Sequence, residues 1–170
     1  MTCVAVKVGK NKITLGADEM VSSYHKSNIN DYNTTKMHQI NNEFAFGGAG
    51  DLAEINMFYN YTLTHTPRDA NELALIEYMD DFCNWKSKRG REYSASEIHL
   101  IIVFKGLVFR FAHNSIYSIT KFDAIGTGAP YAYTALHLGH SIEEAVLAAI
   151  DLDHYCGGNI QLIEMAVQHA

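Results

Sequence analysis

Residues 36–64 read KMHQINNEFAFGGAGDLAEINMFYNYTLT, and this stretch sets the class of fold. Lys36 to Ile40 and Glu43 to Phe46 flank Asn41-Asn42, a turn signal, and read as a pair of strands. Gly47-Gly48-Ala49-Gly50 is expected to break the second strand. From Asp51 to Thr64 the apolar period changes. Leu52, Ile55, Phe58 and Leu63 fall near one face of a helix. A strand pair feeding directly into a helix predicts a mixed α and β domain.

The flanking sequence extends that reading. Cys3 to Val8 and Ile13 to Ala17 surround the turn Gly9-Lys10-Asn11-Lys12 and predict a hairpin. Residues 22–35 are polar and rich in Ser and Asn, so a loop is expected. Ala70 to Lys86 is a second helix, with Leu73, Ile76, Met79 and Cys83 as its apolar stripe. Lys86 to Arg91 is basic and suits the negative end of that helix, which predicts a solvated cap. Ile98 to Phe104 and Leu107 to Ala112 flank Lys105-Gly106 as another hairpin. Pro130 opens a helix to about Leu138. Ser141 and Glu144 have the spacing of a capping box for a helix reaching Leu152. Asn159 to Met165 is the last strand. The sum is an α+β domain with helices outside and sheets inside.

The chain has 170 residues, 48% of them hydrophobic and 19% charged. That bounds it to one domain, residues 1–170, and excludes a disordered class. The net charge of −6 argues against a general nucleic-acid binder. No apolar run approaches the ~18 residues of a membrane span. Three Cys without framework spacing argue against a disulfide scaffold and for a reducing compartment. The start Met1-Thr2-Cys3-Val4-Ala5-Val6 has no basic segment and no long apolar one. No signal peptide is expected, and the location is expected to be cytoplasmic. The nine His are scattered. His137 and His140 are three apart, but no further ligand completes a site, so no metal is expected. No phosphate-binding loop appears, and no cofactor is expected.

The chemistry starts at Thr2. A small second residue permits removal of Met1. An N-terminal Thr then carries a hydroxyl nucleophile and an α-amine base on one residue. That amine has a reference pKa of roughly 7.7–8.0, close to working pH. Thr2 alone is weak evidence. Further stretches join it: Gly16-Ala17-Asp18 at the end of the second strand, Lys36, and the glycine run 47–50. Later come Ala124-Ile125-Gly126-Thr127-Gly128-Ala129-Pro130-Tyr131 and Asp153-His154-Tyr155-Cys156-Gly157-Gly158-Asn159.

In order and spacing these motifs resemble the proteasome β-subunit and HslV family of N-terminal-nucleophile hydrolases, over nearly the whole chain. The resemblance implies a four-layer αββα sandwich. It implies that Thr2 is the nucleophile, Lys36 the catalytic lysine and Asp18 the carboxylate that holds it. Gly47 matches the glycine whose amide forms the oxyanion hole, with Gly48 as the alternative register. Thr127 stands where the family has a Ser, and Cys156 stands where proteasome subunits have one. Asp153 matches the second aspartate, with Asp151 competing. Ala45 and Val21 fall at the specificity pocket and imply cleavage after hydrophobic residues. Cys3 is a rival nucleophile, reached only if Thr2 is also removed, and Cys83 is expected in the core.

The implied function is a threonine-type endopeptidase subunit of a self-compartmentalised ring protease. It would self-associate into stacked rings and act on unfolded proteins or peptides. Any ATP dependence would come from a separate unfoldase. Two other readings stay open: an amidohydrolase of the same fold acting on small amides, and an inactive structural ring subunit.

Overall fold

In the computed structural model, residues 2–21, 35–89 and 98–168 are described. The predicted loop at 22–35, except Thr35, and the last two residues of the basic stretch, Gly90 and Arg91, therefore lie outside them. The strands are β1 (Val4–Val8), β2 (Lys12–Asp18), β3 (Met37–Gln39), β4 (Phe44–Ala49), β5 (His99–Phe104), β6 (Leu107–Ala112), β7 (Ser115–Ile119), β8 (Phe122–Ile125) and β9 (Ile160–Ala166). The helices are α1 (Leu52–Thr62), α2 (Glu72–Ser87), α3 (Ala129–His137) and α4 (Ile142–Leu152). One sheet has the order β8-β1-β2-β9 and the other β3-β4-β5-β6-β7, and every pairing is antiparallel.

Side-chain alternation along the strands builds three cores from two sheets. Val4, Val6, Ile13 and Leu15 face Ala45, Ile101, Val103 and Val108 between the sheets. The opposite faces turn outward to helices. Phe44, Phe46, Phe104 and Phe109 pack with Ile55, Phe58 and Tyr61 of α1 and Leu75, Tyr78 and Phe82 of α2. Ala5 and Ala124 pack with Ala132, Leu136, Ile142, Ala145, Val146 and Ala149 of α3 and α4. The result is the expected αββα sandwich. Its two helical layers differ in character. The α1–α2 layer is aromatic, with Phe46–Phe58 and Phe58–Phe82 ring centroids 4.8 and 5.2 Å apart in edge geometry. The α3–α4 layer is built from small residues and sits close. A Cβ at Gly16 of β2 would lie 2.3 Å from an Ile142 methyl.

Helix ends follow local chemistry. The Asp51 and Asn71 side chains accept the amides of Glu54 and Ala74. The Ser141–Glu144 capping box forms reciprocally, with bonds of 2.8 and 3.2 Å.

Several expectations are overturned. The glycines do not break β4, which runs through Gly47 and Gly48 to Ala49. A Cβ at Gly47 would lie 2.5 Å from Val4, so this glycine lets the sheets approach within a continuous strand. Strands β7 and β8 were not anticipated. His113 and Asn114 turn the chain with φ of 50° and 58°, without the glycine that marks such turns. Lys86 is no solvated cap: it is 1% exposed and paired with Glu54 at 2.7 Å. Leu63, Leu73 and Ile76 are exposed. Ile55, Phe58, Met79 and Cys83 are buried as expected, and Tyr61 and Thr62 on α1 and Leu75, Tyr78 and Phe82 on α2 complete the buried faces.

The close α4–β2 contact gives a test. Gly16→Ala is expected to destabilise by about 1–3 kcal/mol, because the new methyl meets the Ile142 side chain. In urea unfolding, Gly16→Ala/Ile142→Ala should be less destabilised than the sum of the single variants by at least about 0.5 kcal/mol. Additivity would place the strain elsewhere.

Candidate active site

The β1–β2 register fixes the first feature of the site. Val4 pairs with Ala17, so the residues before β1 lie beside the end of β2. Asp18 is fully buried there. A buried carboxylate is costly unless it is richly hydrogen-bonded. Its Oδ1 accepts the Thr2 hydroxyl at 3.0 Å, the Cys3 amide at 2.8 Å and the Lys36 ammonium at 2.7 Å. Its Oδ2 accepts the Gly157 amide at 3.1 Å. The turn 153–159 is itself tied to β2, since the Met20 amide donates to the Gly157 carbonyl at 2.9 Å.

Lys36 enters from the residue preceding β3 and is 5% exposed. Burial holds its pKa below the ordinary 10.5, against the opposing pull of the Asp18 carboxylate. Thr2 is 3% exposed, and its carbonyl accepts the Gly128 amide at 3.2 Å. Gly126 has a φ of 95°, and a Cβ there would sit 2.0 Å from the Thr2 carbonyl oxygen. The 126–128 segment therefore clamps the backbone of Thr2, and only glycine fits at its first position.

Asp153 follows the last turn of α4 and accepts the Tyr155 amide at 3.0 Å and the Cys156 thiol at 3.4 Å. The Thr127 hydroxyl also bonds it. Burial pushes the Asp153 pKa up. The Thr127, Tyr155 and Cys156 donors outweigh it and hold the carboxyl below its ordinary range. Both residues that depart from the family's serines thus still donate to this carboxylate. Asp151 is exposed on α4, away from the cluster.

A cavity of about 110 Å³ opens beside Thr2 and Lys36, lined by Val21, Gly48, Ala49, Gly50, Leu52 and Ile55. Its floor is the first turn of α1. Two expectations change here. Gly48, not Gly47, borders the cavity, because alternation along β4 turns Gly47 toward Val4 and the other sheet. The Gly48 amide donates to the Lys36 carbonyl at 2.9 Å. Ala45 does not line the cavity and lies in the inter-sheet core. The sequence reading missed Leu52 and Ile55 as floor residues. Their i,i+3 spacing directly after the glycine run was the available signal. A larger cavity of about 510 Å³ lies at β7 and β8, between Arg110, Lys121 and Tyr133, and holds none of the buried polar cluster.

Cys3 is fully buried, and burial, with the Asp18 charge added, pushes its thiol up to about 12. Such a thiol stays protonated at neutral pH, which disfavours it as a nucleophile. Burial likewise raises Cys156 and Cys83. Cys83 lies in the aromatic core, as expected. Among the described residues no group of three or more His, Cys, Asp or Glu is placed to hold a metal, and no helix is long and apolar enough to cross a membrane.

Neither a family model nor a curated protein matches the chain. Solved structures do. BPH of Thiobacillus denitrificans in complex with epoxomicin superposes with a TM-score of 0.86 at 17% identity, covering 98% of this chain and 100% of that one. A second structure of Thiobacillus denitrificans BPH gives 0.85 at 18% identity, covering 98% of each chain. HslV from Trypanosoma brucei gives 0.72 at 16% identity, covering 96% and 99%. The chain therefore shares the fold of BPH and HslV over nearly its whole length.

The burial of all three cysteines predicts their reactivity. In the folded protein at pH 8, a thiol-specific disulfide reagent should label none of them within minutes, and all three should react in denaturant. Rapid native labelling of Cys3 or Cys156 would contradict the packing around Asp18.

Proposed function

We propose that this chain is a proteasome-type threonine endopeptidase subunit, with Thr2 as nucleophile once Met1 is removed. The observation that carries the reading is the Thr2 hydroxyl on the buried Asp18–Lys36 pair, at the mouth of an apolar cavity. The fold shared with HslV and with a protein that binds epoxomicin supports it.

The proposed steps use these groups. The Thr2 Oγ attacks the scissile carbonyl carbon and its proton passes to the free α-amine. The Lys36 charge lowers the pKa of both groups, of the hydroxyl by stabilising the alkoxide and of the amine by like-charge repulsion. A backbone amide of the 48–50 segment, which borders the cavity, stabilises the oxyanion; the Gly48 amide itself is held by the Lys36 carbonyl. One such donor contributes roughly 3–4 kcal/mol in comparable sites. Collapse breaks the C–N bond, and the protonated α-amine gives its proton to the leaving amine. An ester on Thr2 remains. Water, deprotonated by the same amine, attacks that ester and releases the acid. Asp153, with Thr127 and Cys156, orients the amine, and Asp18 holds Lys36. The subunits assemble into stacked rings, which restrict substrates to unfolded chains and peptides. An ATP-dependent unfoldase, where one is used, is a separate protein. No observation favours the small-amide or inactive-subunit readings.

Fluorogenic peptides test this directly. Thr2→Ala should abolish hydrolysis and Thr2→Ser should retain a measurable fraction. Equal activity in wild type and Thr2→Ala would end the proposal. The cavity wall of Val21, Ala49, Leu52 and Ile55 predicts preference for an aliphatic residue before the cleaved bond. Arg there should lower kcat/KM by at least about tenfold, since among the described residues no carboxylate lines the cavity and the Lys36 ammonium already stands at its wall. A preference for Arg would contradict the cavity assignment.

The pH profile has a predicted sign. Because burial lowers the Lys36 pKa, its proton leaves earlier than that of an ordinary lysine as pH rises. The activating charge goes with it. Activity should therefore fall on the alkaline side at a pH below 10.5. A flat profile through pH 10.5 would contradict the role of Lys36.

A further inference from the structure

The proposed mechanism leaves one buried ion pair unused. Lys86 sits in the last turn of α2 with 1% of its side chain exposed, and its Nζ lies 2.7 Å from Glu54 Oε1. Glu54 belongs to the first turn of α1, where its amide donates to the Asp51 side chain at 3.1 Å. That same turn carries Leu52 and Ile55, the floor of the cavity beside Thr2.

Ile55 of that turn also belongs to the apolar cluster that includes Met79 and Phe82 of α2, and the ring contacts lie further along the helix. Phe58 meets Phe82 and Tyr78 with ring centroids 5.2 and 6.1 Å apart, and Tyr61 meets Trp85 at 5.5 Å. These rings hold the middle and end of α1. The charged pair is the polar tie between the first turn and α2. A buried ion pair is a poor choice for stability alone, because apolar residues of similar volume do as well or better. What it adds is a fixed length and direction. Apolar contacts slide, whereas a charge-assisted bond at 2.7 Å does not.

We propose that Lys86 is a positioning residue for the substrate pocket: through Glu54 it fixes the first turn of α1, and so sets the depth at which Leu52 and Ile55 meet the substrate side chain. The functional part rests on the peptidase reading, and the structural part stands without it.

The test uses Lys86→Met/Glu54→Gln, which removes both charges of the pair together. Lys86→Met alone serves as the destabilised control. Two readouts are taken on the full chain. In hydrogen exchange, the Glu54 and Ile55 amides of the double variant should exchange about tenfold faster or more, with the β4–β6 amides unchanged. With an aliphatic fluorogenic peptide, KM should rise about five- to tenfold while kcat stays within about twofold, since the pocket moves and Thr2 does not. Wild-type exchange at Glu54 and Ile55 in the folded double variant would overturn the proposal. So would faster exchange with an unchanged KM, which would make the pair structural only. If the wild type hydrolyses no peptide, the peptidase reading fails, and the anchoring of α1 is then decided by exchange alone.

Discussion

One buried carboxylate organises this molecule. Asp18 has no access to water, so its charge must be met by protein donors. It draws four of them from three places in the chain: Thr2 and Cys3 before β1, Lys36 before β3, and Gly157 in the turn after α4. Both sheets and the α4–β9 connection are thereby joined at a single point. Removing any one donor leaves the others competing for an undercompensated charge. The requirement that stabilises the junction also places an ammonium and a hydroxyl on the same oxygen. Stability and chemistry here share one constraint.

Glycine and small residues do the complementary work of letting elements come close. Gly126 meets the Thr2 carbonyl where any side chain would collide. Gly128 admits the Cys156 sulfur and the Cys3 Cβ, at 2.7 and 2.9 Å from where its own Cβ would be. The second carboxylate, Asp153, tolerates exchange among small donors, because Thr127 and Cys156 both reach it. A hydroxyl-to-thiol change there weakens a bond without removing it.

Much of this was legible in the sequence. The β1–β2 and β5–β6 hairpins, four helices, the capping box and the last strand all follow from period and turn chemistry. Thr2, Asp18 and Lys36 converge as the resemblance implied, and so do Thr127, Asp153 and Cys156. The misses have physical causes. The glycine run looked like a breaker because propensity cannot see that Val4 of the other sheet needs the space at Gly47. Strand β7 alternates weakly because Ile116 alone of its five residues is buried. Lys86 looked solvated because its partner, Glu54, is distant in sequence. The register error at Gly47 and Gly48 is a period-2 question, and only strand pairing decides which of two adjacent glycines faces the cavity. Ala45 was misplaced for the same reason.

The central claim is that Thr2, freed at its amine and activated by the Asp18–Lys36 pair, is the nucleophile. Intact mass before and after incubation with a peptide epoxyketone, which traps both groups of an N-terminal Thr, tests it most directly. The account predicts a chain lacking Met1 that gains one stoichiometric adduct, located at Thr2. A chain that retains Met1, or that stays unlabelled after losing it, would contradict the account.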